Sequence, residues 1–241
     1  MPWPKPGRCV IEAPNGYISV AVRFSVRATA RYLSHAETLR VFKRALSRAG
    51  IGVRHSQGYN PHPKMALPLP RSVGVESDEE LLCVQLVTQT PFDDEAFKAA
   101  LSKQLPPGFG LLSVEPTAPS TSFEPLSATY VLQVLPEYAS AELQSTVRRL
   151  MAAERIEIDR AGSSGRARRI DVRGFLEKIE IADGRNNIPT ESRQQARVIT
   201  IQCGVTPAGS IRVNEILQLL GMQTHMLAGP IRRTRVQWRR K

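Results

Sequence analysis

The stretch at residues 34–70, SHAETLRVFKRALSRAGIGVRHSQGYNPHPKMALPLP, decides how the rest of the chain is interpreted. It begins with Ser34, followed three residues later by Glu37. This is the spacing of a capping box, in which each side chain accepts a hydrogen bond from the other residue's backbone N–H. Apolar residues then recur at helical spacing, and Gly50 follows as a stop signal. The pattern predicts a well-capped amphipathic helix.

The polar face of this helix is basic. Arg40, Arg44 and Arg48 stand four residues apart, and Lys43 lies beside them. Residues at this spacing share one face of a helix. Such a face is typical either of a surface that holds a polyanion or of an ordinary solvated helix, and both interpretations stay open on this motif alone.

The segment after the helix has two closely spaced prolines in GYNPHPK, residues 58–64. Proline fixes its own φ and pushes the preceding residue into an extended conformation. We therefore expect a stiff loop that presents Tyr59, Asn60, His62 and Lys64. Aromatic, amide, imidazole and ammonium groups on a stiff loop suit recognition. The alternative is a turn whose polar side chains only satisfy local backbone groups.

Several motifs of the chain resemble the uncharacterised family of radical-SAM-linked proteins. They are YLSH at residues 32–35 with the helix that follows, SQGYNPHPK at 56–64, SVGVES at 72–77, IDVR at 170–173 and IRRT at 231–234. Members of that family are encoded beside, or fused to, a cobalamin-type radical-SAM protein. The resemblance implies a radical-SAM protein as partner.

The net charge of the chain is strongly positive. It has 33 Lys and Arg against 22 Asp and Glu, which gives +11 and an isoelectric point near 10.1. The excess is spread over both halves of the chain and is not confined to a tail. A folded protein with this balance suits a polyanion, most often nucleic acid. An anionic membrane fits less well, because no helix combines a Lys/Arg face with exposed large apolar residues.

The order of predicted elements is β-α-β-β-α-β, first over residues 17–116 and again over residues 127–241. Residues 1–16 predict an irregular arm, and the sequence TAPSTSFEPL at 117–126 predicts a linker. The expected fold class is α+β, with two tandem ferredoxin-like units that have antiparallel sheets. With so few aromatic residues, stacking of bases on an exposed sheet is disfavoured, and backbone or shape recognition of structured RNA is the better expectation.

Two further arginine groups join the candidate binding surface. Arg169 and Arg173 flank Asp171 in the second half, and Arg233 and Arg235 share one face of the last predicted strand. Arginine suits bidentate contact with phosphates. Asp171 is either a catalytic acid or base tuned by its arginines, or a structural residue that holds them in place, and we favour the structural role.

Motifs for metal or cofactor chemistry are missing from the sequence. It has no CxxC pair, no CxxxCxxC loop, no HExxH and no GxGxxG, so we expect neither a metal site nor a bound cofactor. It also has no signal peptide and no apolar span of about 20 residues, so we expect a cytoplasmic protein outside the membrane.

The first hypothesis is therefore a non-catalytic accessory or substrate-binding protein of a radical-SAM enzyme, which holds structured RNA through its arginine faces. A second hypothesis is an enzyme that acts on nucleic acid or an anionic metabolite in a cleft between the units, with His62 and Asp171 as weak catalytic candidates. A third is a pure docking factor for the radical-SAM partner.

Overall fold

The computed structural model describes residues 16–87, 92–161, 167–183 and 197–241. Within these ranges the chain is α+β, and most of its strands pair antiparallel. Apart from Gly16, the predicted N-terminal arm lies outside the described residues.

The chain divides into two compact units. Unit 1 comprises Met1–Arg71, Glu79–Phe123 and Arg240–Lys241, and unit 2 comprises Ser72–Asp78 and Glu124–Arg239. The middle boundary falls inside the predicted linker. However, Ser72–Asp78 belong to unit 2 and Arg240–Lys241 belong to unit 1, which the sequence did not predict. Neither unit is therefore one continuous stretch of chain.

Unit 1 contains two α-helices and four sheet strands in its described part. Its elements are β1 (Tyr17–Val26), α1 (His35–Arg48), β2 (Met65–Ala66), β3 (Glu76–Val87, from Glu79 onward), α2 (Asp94–Ser102) and β4 (Phe109–Thr117). The strand order is β4-β1-β3-β2, with β1 antiparallel to β4 and β2 antiparallel to β3.

Alternation along β1 places one set of side chains in the core of unit 1. Val22, Phe24 and Val26 are buried there together with residues of α1, and the ring of Phe24 lies 4.6 Å from that of Phe42. Each such apolar side chain stabilises the fold by about 1.5–3 kcal/mol when fully buried. Because side chains alternate across a strand, Ser19 lies on the opposite face of the sheet.

The described part of unit 2 has two α-helices, four sheet strands and a separate two-stranded ribbon. Its elements are β5 (Phe123–Val134, from Glu124 onward), α3 (Ala141–Ala152), β6 (Glu157–Ala161), β7 (Ala167–Asp171), β8 (Leu176–Asp183), β9 (Arg197–Gly204), α4 (Val213–Leu219) and β10 (Arg232–Arg240, up to Arg239). The strand order is β10-β5-β9-β8, and β6 pairs with β7 alone.

Residues 72–78 join unit 2 because they pair with the last strand. Glu76 and Ser77 pair in parallel with β10, and the backbone N–H of Glu76 donates to Ile231 O at 2.9 Å. Asp78 accepts two hydrogen bonds at 2.9 Å from the guanidinium of Arg232. The partners are more than 150 residues apart in the sequence, so no pattern of neighbouring residues predicts this pairing.

The predicted linker at residues 117–126 is shorter than expected. Strand β4 ends at Thr117 and β5 begins at Phe123, so only residues 118–122 lie between strands. Prolines in this stretch favoured the linker interpretation. Pro116 is nevertheless tolerated in β4 because β4 is an edge strand, where one side of the backbone needs no partner in the sheet.

Candidate nucleic-acid interface

Helix α1 begins at the predicted capping box. The carboxylate of Glu37 accepts the backbone N–H of Ser34 at 2.8 Å, and Ser34 Oγ accepts the backbone N–H of Glu37 at 3.3 Å. The hydrogen bonds from Ser34, with a smaller contribution from the charge of Arg40, lower the pKa of Glu37. The cap fixes where the helix begins and so which residues face water.

The four cations of α1 are all exposed. Arg40, Lys43, Arg44 and Arg48 span about 12 Å along the helix axis, at a rise of about 1.5 Å per residue. Arg48 donates to Gln104 O at 2.6 Å. Within the described part of the chain, Lys43 and Arg44 form neither an ion pair nor a hydrogen bond through their side chains.

The proline-containing loop is a narrow hairpin closed by its own backbone. The N–H of Ser56 donates to His62 O at 2.8 Å, and the N–H of His62 donates to Ser56 Oγ at 2.9 Å. Gly58 has φ +139°, a conformation that favours glycine. Tyr59 at the tip is fully exposed, and the other candidate residues of the loop, Asn60, His62 and Lys64, are also exposed.

The root of this hairpin is held against strand β3. The N–H of Arg54 donates to Gln85 O at 2.8 Å, and the N–H of Gln85 donates to Lys64 O at 2.9 Å. The guanidinium of Arg54 lies 3.7 Å from the centroid of the Tyr17 ring, a cation–π contact. Sequence reasoning did not select Arg54, whose anchoring role depends on strands distant in the chain.

Arg169 and Arg173 of unit 2 have partners within the protein. The guanidinium of Arg169 lies 3.7 Å from Glu157 and 3.6 Å from Asp159 on the neighbouring strand. Arg173 donates to three backbone carbonyls, those of Ala153, Leu176 and Met151, at 2.8–3.0 Å. Two of these carbonyls lie at the end of α3, so Arg173 closes that helix and has little donor capacity left for a phosphate.

Asp171 has a comparable structural role. Its Oδ1 atom accepts the backbone N–H of Ile156 at 2.9 Å and that of Arg173 at 3.0 Å. These hydrogen bonds lower the pKa of Asp171, with smaller contributions from Arg155 and Arg173. A carboxylate held ionised in this way is a poor general acid.

The two candidate arginines of β10 differ in exposure. Arg233 is 1% exposed, whereas Arg235 is exposed. Burial removes Arg233 from contact with any surface ligand and corrects its assignment to the binding set. Strand alternation places both arginines on the same face of β10, so it does not predict their different exposure.

A pocket of about 290 Å³ lies in unit 1, and sequence reasoning did not anticipate it. Strands β1 to β4 and residues 118–123 contribute to its lining, so no contiguous motif marks it. The lining residues are Ser19, Val20, Pro63, Lys64, Met65, Ala66, Cys83, Val84, Gln85, Thr117, Pro119, Thr121 and Phe123. Burial raises the pKa of the Cys83 thiol to about 11. The thiol is therefore protonated at neutral pH and unsuited to nucleophilic attack.

The described residues contain neither a membrane-spanning helix nor a cluster of metal ligands. None of their helices is long and apolar enough to cross a membrane. No group of three or more His, Cys, Asp or Glu side chains among them is placed to hold a metal ion.

Comparisons with known proteins give weak structural matches and one family match. No curated protein matches the chain. A crystal structure of an unknown protein from Galdieria sulphuraria has a TM-score of 0.23 at 13% identity and covers 85% of this chain and 90% of its own. The acetolactate synthase small subunit from Thermotoga maritima has a TM-score of 0.23 at 11% identity, covering 93% and 97%. Scores at this level carry no argument. The family model described as an uncharacterized protein conserved in bacteria matches residues 20–210, and the chain therefore belongs to this family, DUF2344.

Proposed function

We propose that this protein is a non-catalytic accessory protein that holds structured RNA on the basic face of α1. The observation that carries the proposal is the contrast between two cations of α1 and Arg169 of the ribbon. Lys43 and Arg44 are exposed on α1 and have no charged partner among the described residues, whereas Arg169 lies within ion-pair distance of two carboxylates. Cations without a protein partner are free to neutralise phosphates and so to release the counterions condensed on the RNA.

The hairpin at residues 54–64 extends the proposed surface. It carries an exposed ammonium at Lys64 and a fully exposed aromatic ring at Tyr59. In RNA recognition, cations hold the phosphate backbone while aromatic rings stack on unpaired bases. The α1 face would thus supply affinity and the hairpin would contact a local feature of the RNA.

The fold proposed for both units is ferredoxin-like. In unit 1 the strand order is β4-β1-β3-β2, and in unit 2 the order β10-β5-β9-β8 repeats the same positions. Each unit also has a helix after its first strand and another before its last. Both features agree with the β-α-β-β-α-β arrangement.

A radical-SAM protein is the proposed partner, in the cytoplasm. The support is the resemblance in residues 32–35, 56–64, 72–77, 170–173 and 231–234. Since the sequence has no CxxxCxxC loop for an iron–sulfur cluster, the radical chemistry would belong to the partner and this chain would present the RNA.

RNA binding is tested with charge reversals at matched positions. The variant Lys43→Glu/Arg44→Glu changes two adjacent exposed cations of α1, and Arg148→Glu/Arg149→Glu makes the same charge change on two adjacent exposed cations of α3. The affinity for a structured RNA is measured by filter binding between about 50 and 300 mM salt. We expect the α1 variant to bind more weakly and its log–log salt slope to fall by about 2, one for each phosphate contact.

The α3 variant is the control for general electrostatics. It should bind within about threefold of the wild type if RNA docks on α1, because the variant leaves every cation of that helix in place. Equal weakening of both variants would show only unspecific attraction to a basic protein and would refute the proposed surface.

The partner proposal is tested by affinity purification from the native host, with and without ribonuclease. A radical-SAM protein that remains after ribonuclease treatment supports direct docking. Its disappearance would indicate a link through RNA, and its absence in both samples would overturn the partnership.

A further inference from the structure

We propose that the pocket of unit 1 binds a single nucleotide, with the base inside and the phosphate at Lys64. This inference names the chemical group that enters the protein. Its second part, in which the nucleotide belongs to an RNA, rests on the proposed function. The shared chemistry is a planar base with an attached phosphate, and its source is either a free nucleotide or an unpaired nucleotide of an RNA.

The size of the pocket suits such a ligand. Its volume of about 290 Å³ lies at the small end of the range of about 300–1,000 Å³ typical of ligand pockets. All of its lining residues belong to unit 1.

The apolar lining suits the faces of a base. Phe123 contributes aromatic surface, and Ala66 and Pro119 contribute aliphatic surface. Base stacking on apolar and aromatic groups is tolerant of sequence because every base has a π-face.

The polar lining suits the edges of a base. Ser19, Thr117 and Thr121 bring hydroxyl groups that both donate and accept hydrogen bonds. Gln85 Oε1 accepts a hydrogen bond from Arg54 at 3.1 Å, so the amide nitrogen of Gln85 is the group left to donate to a ligand. Donors and acceptors side by side match the mixed edges that bases present.

The charge of the lining selects an anion at the mouth. Lys64 is exposed, and the described residues that line the pocket include no carboxylate. Its backbone carbonyl is bonded to Gln85 N, which fixes the position of the residue at the root of the hairpin. The pocket therefore lies directly beside the loop that carries Tyr59, and a nucleotide drawn from an RNA on that loop has a short path to it.

Cys83 is a built-in reporter for occupancy of this pocket. Its thiol has a pKa raised to about 11, and the more deeply buried Cys203 has a pKa raised to about 12. Both should react slowly with methyl methanethiosulfonate at pH 9, and mass spectrometry follows each separately. Each nucleoside 5′-monophosphate is added in turn. At ten times its Kd, a nucleotide should slow modification of Cys83 about tenfold, since about one pocket in eleven stays free. Modification of Cys203 should not change.

Variants separate the pocket from the rest of the surface. Ala66 is exposed and lines the pocket, so Ala66→Phe fills it, whereas Ala99→Phe makes the same change at an exposed position of α2. Lys64→Ala removes the mouth cation, and Lys103→Ala is its exposed control. Calorimetry with the nucleotide should show binding lost in Ala66→Phe, weakened about tenfold in Lys64→Ala, and unchanged in both controls.

A further experiment compares the affinity of the protein for two RNA hairpins, one with a single bulged nucleotide and one that is fully paired. If the nucleotide comes from RNA, the wild type should prefer the bulged hairpin about tenfold and Ala66→Phe should lose that preference. Protection of Cys83 by free nucleotides with no preference for the bulge supports the free source. If neither the free nucleotides nor the bulged RNA protect Cys83, the pocket proposal is overturned. RNA binding itself is tested separately by the charge-reversal variants of α1. Protection by nucleotides without any RNA binding would uphold the pocket and refute the proposed function.

Discussion

The carboxylate of Asp171 accepts the backbone N–H of Arg173 at 3.0 Å, and the guanidinium of Arg173 caps the end of α3. Together the two residues connect the end of β7 to the end of α3. The charged side chains of the IDVR motif therefore bond to the protein's own backbone, which stabilises the fold.

Asp171→Ala should destabilise the protein at neutral pH because two backbone N–H groups lose their acceptor. The pKa of Asp171 is lowered from its ordinary value of 3.8, so its contribution is complete above that value and is lost as pH falls through the lowered pKa. The difference in urea unfolding between wild type and variant should therefore be full at pH 5–7 and shrink as pH falls below 3.8, through the lowered pKa. A constant difference over this range would contradict the role of the ionised carboxylate.

Arg173→Lys should cost about 2 kcal/mol of unfolding free energy, because one ammonium cannot reach the three carbonyls that the planar guanidinium serves. Hydrogen exchange should rise in the last turn of α3. Arg155→Lys, at an exposed position, is the control. RNA affinity should be unchanged, and a loss of affinity with normal stability would return Arg173 to the binding surface.

Arg160 and Glu215 form an ion pair of 2.6 Å whose side chains are only 14% and 7% exposed. Arg160→Met should cost about 3–5 kcal/mol, since Glu215 is then a buried charge without its partner. The double variant Arg160→Met/Glu215→Met should recover much of the loss, as measured by urea unfolding in a double-mutant cycle. Additive losses would show that the two side chains act independently.

Gly108→Ala should be far more destabilising than Gly50→Ala, although both glycines have positive φ. A Cβ at Gly108 would lie 2.6 Å from Arg27 O, whereas a Cβ at Gly50 meets nothing within 4 Å. Gly50→Ala should cost about 1 kcal/mol from backbone strain alone. The difference between their thermal midpoints measures the clash, and equal midpoints would show that the loop relaxes around the added methyl group.

Tyr59→Ala should leave the stability unchanged because the side chain is fully exposed. If Tyr59 stacks on an unpaired base, the affinity for a bulged RNA should fall about tenfold, within the range of about 1–3 kcal/mol per stacked base. Tyr32→Ala removes another exposed tyrosine and serves as the control. Unchanged RNA affinity in Tyr59→Ala would exclude the hairpin tip from the interface.

The sequence by itself determined the features that depend on near neighbours in the chain. The capping box of α1 and its basic face arise from residues a few positions apart, because helical spacing acts over that distance. The α+β class followed from the same kind of local pattern.

Only the tertiary structure decided what the charged residues do. Arg173 reaches carbonyls 20 and 22 residues away, and Arg233 is buried by parts of the fold that strand alternation does not identify. The transfer of Ser72–Asp78 to unit 2 and the pocket of unit 1 both depend on strands that are distant along the chain. The physical reason is common to all of these cases. Burial and hydrogen bonding depend on which segments meet in space. The spacing of residues along the chain does not predict which distant segments will meet.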